Sequence, residues 1–128
     1  MEVMDVSENK RSNTSTYFNQ EIARYKSLEQ ELIADERSDE AIFAKIKMNV
    51  FDIFNTMFSV AVRTAGDNDE KIQQFFLTKV EQIPQSWHSS LQNAKKHEDV
   101  EKIHTETIKL ETVYEIKTAF EKIWGEVL

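Results

Sequence analysis

The sequence predicts an all-α protein folded as an up-down-up-down antiparallel four-helix bundle. Its 128 residues include only 2 glycines and 1 proline, so little material is present for the turns of a β-sheet. Four long segments repeat apolar residues at the helical period, and three short polar connections separate them. Because short connections make successive helices antiparallel neighbours, we expect one bundle domain over residues 15–128 after a polar tail over residues 1–14.

Composition and charge argue against several classes of function. Without cysteine, the chain cannot form disulfides, thiolate nucleophiles or cysteine-ligated metal sites. The formal net charge is −7 and the acidic excess is spread over both halves, so we expect neither a nucleic-acid partner nor an anionic membrane surface. No stretch has the uninterrupted apolar length of a membrane span or a leader peptide, so we expect a cytoplasmic location.

The first helix is expected to begin at Ser15 or Thr16, because either hydroxyl can cap the amides of a first helical turn. Apolar residues then recur at helical spacing through Phe18, Ile22, Tyr25 and Leu32. The pattern ends in the polar stretch 35–39, which we expect to be the first connection.

Helix 2, over about residues 40–65, is expected to be the most buried helix of the bundle. Its apolar side chains spread over an arc of about 200°, whereas a surface helix needs an apolar arc only somewhat wider than about 100°. We therefore expect neighbours on several sides of this helix, and Gly66 to end it. The arc consists of Ile42, Phe43, Ile46, Val50, Phe51, Ile53, Phe54, Met57, Phe58, Val60, Ala61 and Val62.

One flank of helix 2 is a candidate partner surface. Phe51, Phe58 and Val62 lie about 80–120° from the centre of the apolar arc. If helix 1 or helix 3 leaves them uncovered, they form an exposed apolar patch of the kind that binds a partner protein or a second copy of the chain. The other interpretation is that all three are ordinary core residues at helical spacing.

The third apolar series continues through Pro84 without a change of phase. Two separate helices would reset the register, so we predict one helix that is kinked at Pro84. The series consists of Ile72, Phe76, Val80, Ile83, Trp87, Leu91 and Ala94.

Helix 4 is expected to begin near residues 97–99 and to run nearly to the end of the chain. Its predicted core stripe consists of Val100, Ile103, Thr107, Leu110, Tyr114, Trp124 and Val127, with Val113, Phe120 and Ile123 to one side. The many glutamates of this helix, Glu106 among them, are expected on a solvated face.

His97, Glu101 and His104 are weak candidate metal ligands on helix 4. Glu101 and His104 have the Glu-x-x-His spacing of carboxylate-bridged di-iron bundles, and His97 lies four residues before Glu101 on the same helical face. Such di-iron sites need two of these motifs and two further glutamates, and only one motif is present. The other interpretation is a solvated face that points away from the core.

Three charged residues fall within apolar stripes, and each is a candidate for a site or a binding pocket. Glu29 lies between Tyr25 and Leu32, Lys79 lies near Phe76, and Lys117 follows Tyr114. The alternative is that each lies at an edge of the bundle, with its aliphatic stem packed and its charged group in water.

The chain resembles the YppE-like family of small uncharacterised proteins of Gram-positive bacteria. The resemblance spans about residues 18–124 and includes Phe51-Asp-Ile-Phe54, the acidic run Asn68-Asp-Glu70, and the C-terminal pattern of Lys95-Lys96, Ile103, Glu106-Thr107, Val113-Tyr114 and Lys117. It implies a cytosolic four-helix bundle and supplies no catalytic residues. The polar N-terminus and Pro84 depart from the family pattern.

The sequence predicts no catalytic residue and no cofactor, so an enzyme is not expected. His88, beside Trp87, has no serine or aspartate partner at the spacing of a catalytic triad. We expect a non-enzymatic protein-interaction module whose partner is an unknown protein or a second copy of the chain. The alternative is a bundle that binds a metal or a small ligand through the glutamate and histidine residues of helix 4.

Overall fold

The computed structural model describes the backbone of residues 6–125 and the side chains of residues 9–125. Within residues 6–125 every regular element is a helix: α1 (Val6–Ala34), α2 (Ser38–Ala65), α3 (Asp69–Gln82), α4 (Gln85–Lys96) and α5 (Val100–Trp124). Because α3 and α4 together form the predicted third helix, the all-α four-helix bundle is confirmed.

The kink at Pro84 is also confirmed. Ile83 and Pro84 form a two-residue turn with right-handed backbone angles, φ −60° and ψ −44° at Ile83 and φ −72° and ψ −7° at Pro84. The Ile83 N–H donates to the Lys79 carbonyl at 3.0 Å, and the His88 N–H donates to the Pro84 carbonyl at 2.9 Å. Proline has no N–H to continue the ladder and its ring crowds the carbonyl of residue i−4, here Val80, so the helix bends at this point.

The prediction that residues 1–14 form a loose tail is wrong for residues 6–14, and residues 1–5 lie outside the described residues. Helix α1 begins at Val6 rather than at Ser15 or Thr16. Thr14 is 1% exposed and accepts a 2.8 Å hydrogen bond from the Trp124 indole N–H, and Arg11 pairs with Asp69 at 2.9 Å. Polar side chains make these contacts, so apolar periodicity does not detect this part of the helix.

Helix α2 is the central helix of the bundle, since it packs against α1, α3 and α5. The core at its C-terminal half is a cluster of aromatic rings, in which Phe76 and Phe120 have centroids 4.4 Å apart and Phe120 stacks on Trp124 at 5.3 Å. Edge-to-face and offset contacts of this kind add stability beyond the apolar area that they bury. The cluster consists of Phe18, Phe54, Phe58, Phe76, Phe120 and Trp124.

The buried arc of α2 is narrower than its sequence predicts. Ile42, Phe43 and Ile53 are 53%, 36% and 37% exposed, and the first two lie in the N-terminal turns. For Ile42 and Phe43 the kink is the physical reason, because α3 packs against α2 while α4, beyond Pro84, packs mainly against α5. The N-terminal half of α2 therefore lacks the cover that a straight third helix would give it.

Helix α5 is rotated relative to the prediction. Two members of the predicted core stripe, Val100 and Tyr114, are 65% and 73% exposed. Glu106, which the sequence predicts on a solvated face, is 5% exposed. Val127, the last member of the predicted stripe, lies outside the described residues. The buried residues of α5 are Glu106, Thr112, Val113, Ile116, Phe120 and Trp124.

Candidate functional site

The end of the bundle at which α2 and α5 begin presents a group of exposed large apolar side chains. Ile42 and Phe43 from α2 and Val100 from α5 surround a hollow of about 480 Å³. We call this surface the end patch, and its residues are Asp39, Ile42, Phe43, Val100, Glu101, His104 and Thr105. Exposed apolar side chains that adjoin one another on a soluble protein are typical of interaction sites, whereas isolated ones are not.

Two helix starts position the end patch. Helix α5 begins behind Asp99, whose side-chain oxygen accepts the Lys102 N–H at 3.2 Å as an N-cap. Helix α2 begins at Ser38 behind Arg37, which makes no side-chain capping bond and pairs instead with Glu40. The start of α5 is therefore fixed by a side-chain cap, whereas the start of α2 has only an exposed ion pair.

His104 belongs to the apolar wall of the end patch. Its ring stacks on Phe43 with centroids 6.2 Å apart and an angle of 23° between the ring planes. This contact joins α2 to α5 beside the hollow. An aromatic pair of this kind suits a flat or branched apolar group of a ligand.

The charged residues that line the end patch, Asp39 and Glu101, are both acidic. Each lies in the first turn of its helix, where the positive end of the helix dipole stabilises a carboxylate. The patch therefore combines an apolar floor with a negative rim, which favours a partner that carries a positive charge beside its apolar group.

The structure does not assemble the three candidate metal ligands. Glu101 and His104 share the end patch, whereas His97 lies in the turn before α5 and its Nδ1 is 2.9 Å from the Asn93 carbonyl oxygen. The three residues do not share one helical face, because α5 begins at Val100 and His97 lies before it. Among residues 9–125, no three His, Cys, Asp or Glu side chains gather as metal ligands.

The candidate partner surface on the flank of α2 is wrong for two of its three residues. Phe51 and Phe58 are 0% and 2% exposed, because α1 covers Phe51 and rings of α1, α3 and α5 surround Phe58. Tyr25 stacks on Phe51 with ring centroids 5.7 Å apart, and the ring centroids of Phe18 and Phe58 are 6.5 Å apart. Val62, the third residue, is half-buried and borders a groove between α1 and α2.

The three charged residues within apolar stripes do not form a common site. Glu29 and Lys79 are half-buried, and the Lys79 ammonium lies 5.4 Å from the centroid of the Phe75 ring. Lys117 is exposed and borders a hollow of about 500 Å³ beside Pro84. Among residues 9–125, no ion pair joins any two of the three.

A polar cluster between α1, α2 and α5 was not predicted. The Lys47 ammonium donates to the Tyr25 hydroxyl and to the Glu115 carboxylate, both at 3.2 Å. Burial lowers the pKa of Lys47, but these two hydrogen bonds outweigh it and raise the pKa above its ordinary value. Burial raises the pKa of the nearby Tyr17 well above its ordinary range, and the charges of Glu21 and Glu115 raise it further.

Comparisons with protein-family models, with curated proteins and with solved structures find no match to this chain. The resemblance to the YppE-like proteins therefore stays a prediction. No helix within residues 6–125 combines the length and the apolar character that crossing a bilayer requires. The geometry of the end patch is the main guide to function.

The apolar periodicity of the sequence predicts that the apolar residues of the end patch belong to the core. The sequence does contain a signal, since Ile42 and Phe43 are adjacent and adjacent helical residues point about 100° apart. Both can be buried only if two neighbouring helices cover them. A kink at Pro84 removes one of those neighbours from this part of α2, so the exposure follows from the two observations together.

Proposed function

We propose that this chain is a non-enzymatic protein-interaction module that binds an apolar, positively charged segment of a partner protein at the end patch. The observation that supports the proposal is the convergence of Ile42, Phe43 and Val100, at 53%, 36% and 65% exposure, around one hollow. Leaving three such side chains in water has a solvation cost that a partner would remove.

The volume of the hollow indicates which groups of a partner can enter it. About 480 Å³ is in the range of pockets that hold a small ligand or a few protruding side chains of a partner. We expect one or two large apolar anchors, which would contact the rings of Phe43 and His104. Lysine or arginine residues beside these anchors would face Asp39 and Glu101.

A different protein fits the patch better than a second copy of the chain. In a two-fold dimer the same surface meets itself, so Asp39 and Glu101 of one copy would approach those of the other. Like charges at a contact oppose association. We therefore expect the protein to be monomeric on its own, which analytical ultracentrifugation measures.

A small organic cation is the second candidate occupant. The hollow combines aromatic rings from Phe43 and His104 with the carboxylate of Glu101, and cations bind to aromatic faces and to carboxylates. This candidate keeps the predicted use of Glu101 and His104 in ligand binding without requiring a metal.

The test is selection of short peptides from a random library on the folded protein. We expect the selected peptides to carry aromatic or leucine residues next to lysine or arginine. Val100→Asp should weaken their binding by at least about tenfold, because it places a charge in the apolar floor. Val100 is an exposed first residue of α5, where aspartate favours the helix dipole, so the variant keeps its fold.

The matched control is Tyr114→Asp, which changes a residue of α5 that is 73% exposed and outside the end patch. It should leave peptide binding unchanged. Selected peptides that are acidic, or that bind Val100→Asp as tightly as the original protein, would contradict the proposal. If the original protein is a dimer and Val100→Asp is a monomer, the occupant of the end patch is a second copy of the chain and not a different protein.

Three other expectations from the sequence belong to the same proposal. A relationship to the YppE-like proteins is supported by residues such as Phe51-Asp-Ile-Phe54, which lie in α2. A cytoplasmic location and the lack of nucleic-acid binding fit the net charge of −7 and a cysteine-free composition. A mobility shift at low salt tests the expectation about nucleic acid, and we expect none.

A further inference from the structure

A second hollow, of about 360 Å³, lies between the N-terminal half of α1 and the C-terminal half of α2. We call it the arginine–serine groove, and its residues are Arg11, Ser12, Ser15, Phe58, Ser59, Val62 and Arg63. In a chain with a net charge of −7, the charged residues that line this groove are both basic. The groove therefore differs in sign from the end patch, whose charged residues are both acidic.

The two guanidinium groups are held differently. Arg11 donates from Nε and Nη2 to one oxygen of Asp69, at 3.3 and 2.9 Å. These two bonds fix the guanidinium plane and use two of its five N–H groups. Arg63 is exposed and makes no ion pair with any acidic side chain in the part of the chain that the structure describes. Its charge is thus available to an anion.

The serine hydroxyls of the groove are also available. Four helical threonines, Thr14, Thr78, Thr105 and Thr112, donate their hydroxyls to the carbonyl four residues earlier. The hydroxyls of Ser12, Ser15 and Ser59 make no such bond, and no other hydrogen bond to residues 9–125. Three hydroxyl donors therefore line the groove without a protein acceptor.

The remaining lining is apolar. Phe58 lines the groove but is only 2% exposed, so the half-buried Val62 is the main apolar side chain that a ligand could contact there. A bare inorganic anion would make no use of this apolar contact. The groove thus suits a molecule that joins an anionic group to an apolar body.

We infer that the arginine–serine groove binds a phosphate monoester with an apolar body. Two guanidinium groups and three hydroxyls offer more donors than the two oxygens of a carboxylate can accept, whereas a phosphate monoester has three terminal oxygens and up to two negative charges. The residues that line the groove begin more than one turn after the start of α1 at Val6 and otherwise lie in the C-terminal half of α2, so the helix dipole does not assist anion binding. Because Asp69 already pairs with Arg11, Arg63 must supply most of the attraction.

The test is a titration of the isotope-labelled protein, followed by the backbone amide resonances, with phenyl phosphate as the probe. We expect saturable shifts at Ser12, Ser15, Ser59 and Arg63. Benzoate, which carries the same ring on a carboxylate, should bind at least about tenfold more weakly, and so should inorganic phosphate, which lacks the apolar body. Inorganic phosphate or benzoate that binds as tightly as phenyl phosphate would overturn the assignment of the ligand.

Arg63→Gln should weaken phenyl phosphate binding by at least about tenfold, because it removes the unpaired positive charge. Arg63 is exposed, so the variant keeps its fold. The matched control is Arg24→Gln, which removes an equally basic residue of α1 outside the groove and should leave binding unchanged. Equal affinity of Arg63→Gln and the original protein, or equal losses in both variants, would overturn the site.

Discussion

Glu106 places a carboxyl group in the core-facing side of α5. One oxygen, Oε1, accepts from the Lys109 ammonium at 3.2 Å, and the other, Oε2, has no protein partner among the described residues. Burying a polar oxygen without a hydrogen bond costs about 1–3 kcal/mol. Glu106→Leu removes that oxygen and supplies an apolar side chain of similar size, so we expect it to raise the free energy of unfolding by about 1 kcal/mol.

Urea denaturation of Glu106→Leu measures this gain. The control is Glu111→Leu, at an exposed position of the same helix, which should change the free energy of unfolding by less than about 0.5 kcal/mol. A clear loss of stability in Glu106→Leu would mean that Oε2 is satisfied by an ordered water and that the carboxylate is stabilising.

The raised pKa values of Tyr17 and Lys47 make the free energy of unfolding fall at alkaline pH. Both pKa values are raised in the folded state, so above about pH 10 the unfolded chain releases these protons more readily than the folded one. The stability that they contribute is complete below that pH and is lost as the pH rises. Urea denaturation at about pH 8 and about pH 11 should show this loss, and Tyr17→Phe should reduce it. Tyr114→Phe, at an exposed tyrosine, should leave the loss unchanged.

At the scale of the elements, α1 and α4 are each followed by a glutamate with left-handed backbone angles. Glu36 after α1 and Glu98 after α4 have φ of 60° and 54°. After Glu98, the Asp99 N–H donates to the Ala94 carbonyl at 2.9 Å, which is the bond of a Schellman motif. Glycine usually occupies this position because it has no Cβ to strain the left-handed backbone.

Glu98→Gly is therefore expected to raise the free energy of unfolding by about 0.5–1 kcal/mol. The same substitution inside a helix, Glu111→Gly, should lower it by a similar amount, about 1 kcal/mol, since glycine is a poor helix former. Thermal or urea unfolding compares the two variants. Changes of the same sign would contradict the left-handed assignment at Glu98.

Helix α5 shows which part of an element can be predicted from sequence. Its existence and approximate length follow from apolar periodicity, but the stripe through Tyr114 and the one through Ile116 are both consistent with that periodicity. Packing of the Phe120 and Trp124 rings against α2 selects the second stripe and turns Glu106 inward. That choice depends on long-range contacts, which the local pattern does not contain.

At the scale of the whole molecule, the kink in the third helix could be predicted from the sequence, but its effect on the surface could not. The periodicity across Pro84 predicts the kink, and the short connections predict the order of the helices. The end patch depends on how far α4 departs from α2, which sequence spacing does not give. The arginine–serine groove exists because α1 begins at Val6. The first turns of α1 are polar, so apolar periodicity does not predict that they are helical.

The two ends of the described chain are joined by one buried hydrogen bond. Residues 110 positions apart, Thr14 and Trp124, meet where the Trp124 indole N–H donates to the Thr14 hydroxyl at 2.8 Å. The hydroxyl donates in turn to the Lys10 carbonyl at 2.7 Å, and both Thr14 and Trp124 are buried. This contact ties the N-terminal part of α1 to the last turn of α5, and we expect the two to unfold as one cooperative unit.

Thr14→Val keeps the shape of the side chain and removes the acceptor, which leaves a buried indole N–H without a partner. We expect the free energy of unfolding to fall by about 1–3 kcal/mol, measured by urea denaturation. Thr16→Val, an exposed position on the same helix, controls for the helix propensity of valine and should cost less than about 0.5 kcal/mol. Equal effects would mean that the first turns of α1 open independently, and amide hydrogen exchange over residues 6–14 would then be fast rather than as slow as in the core.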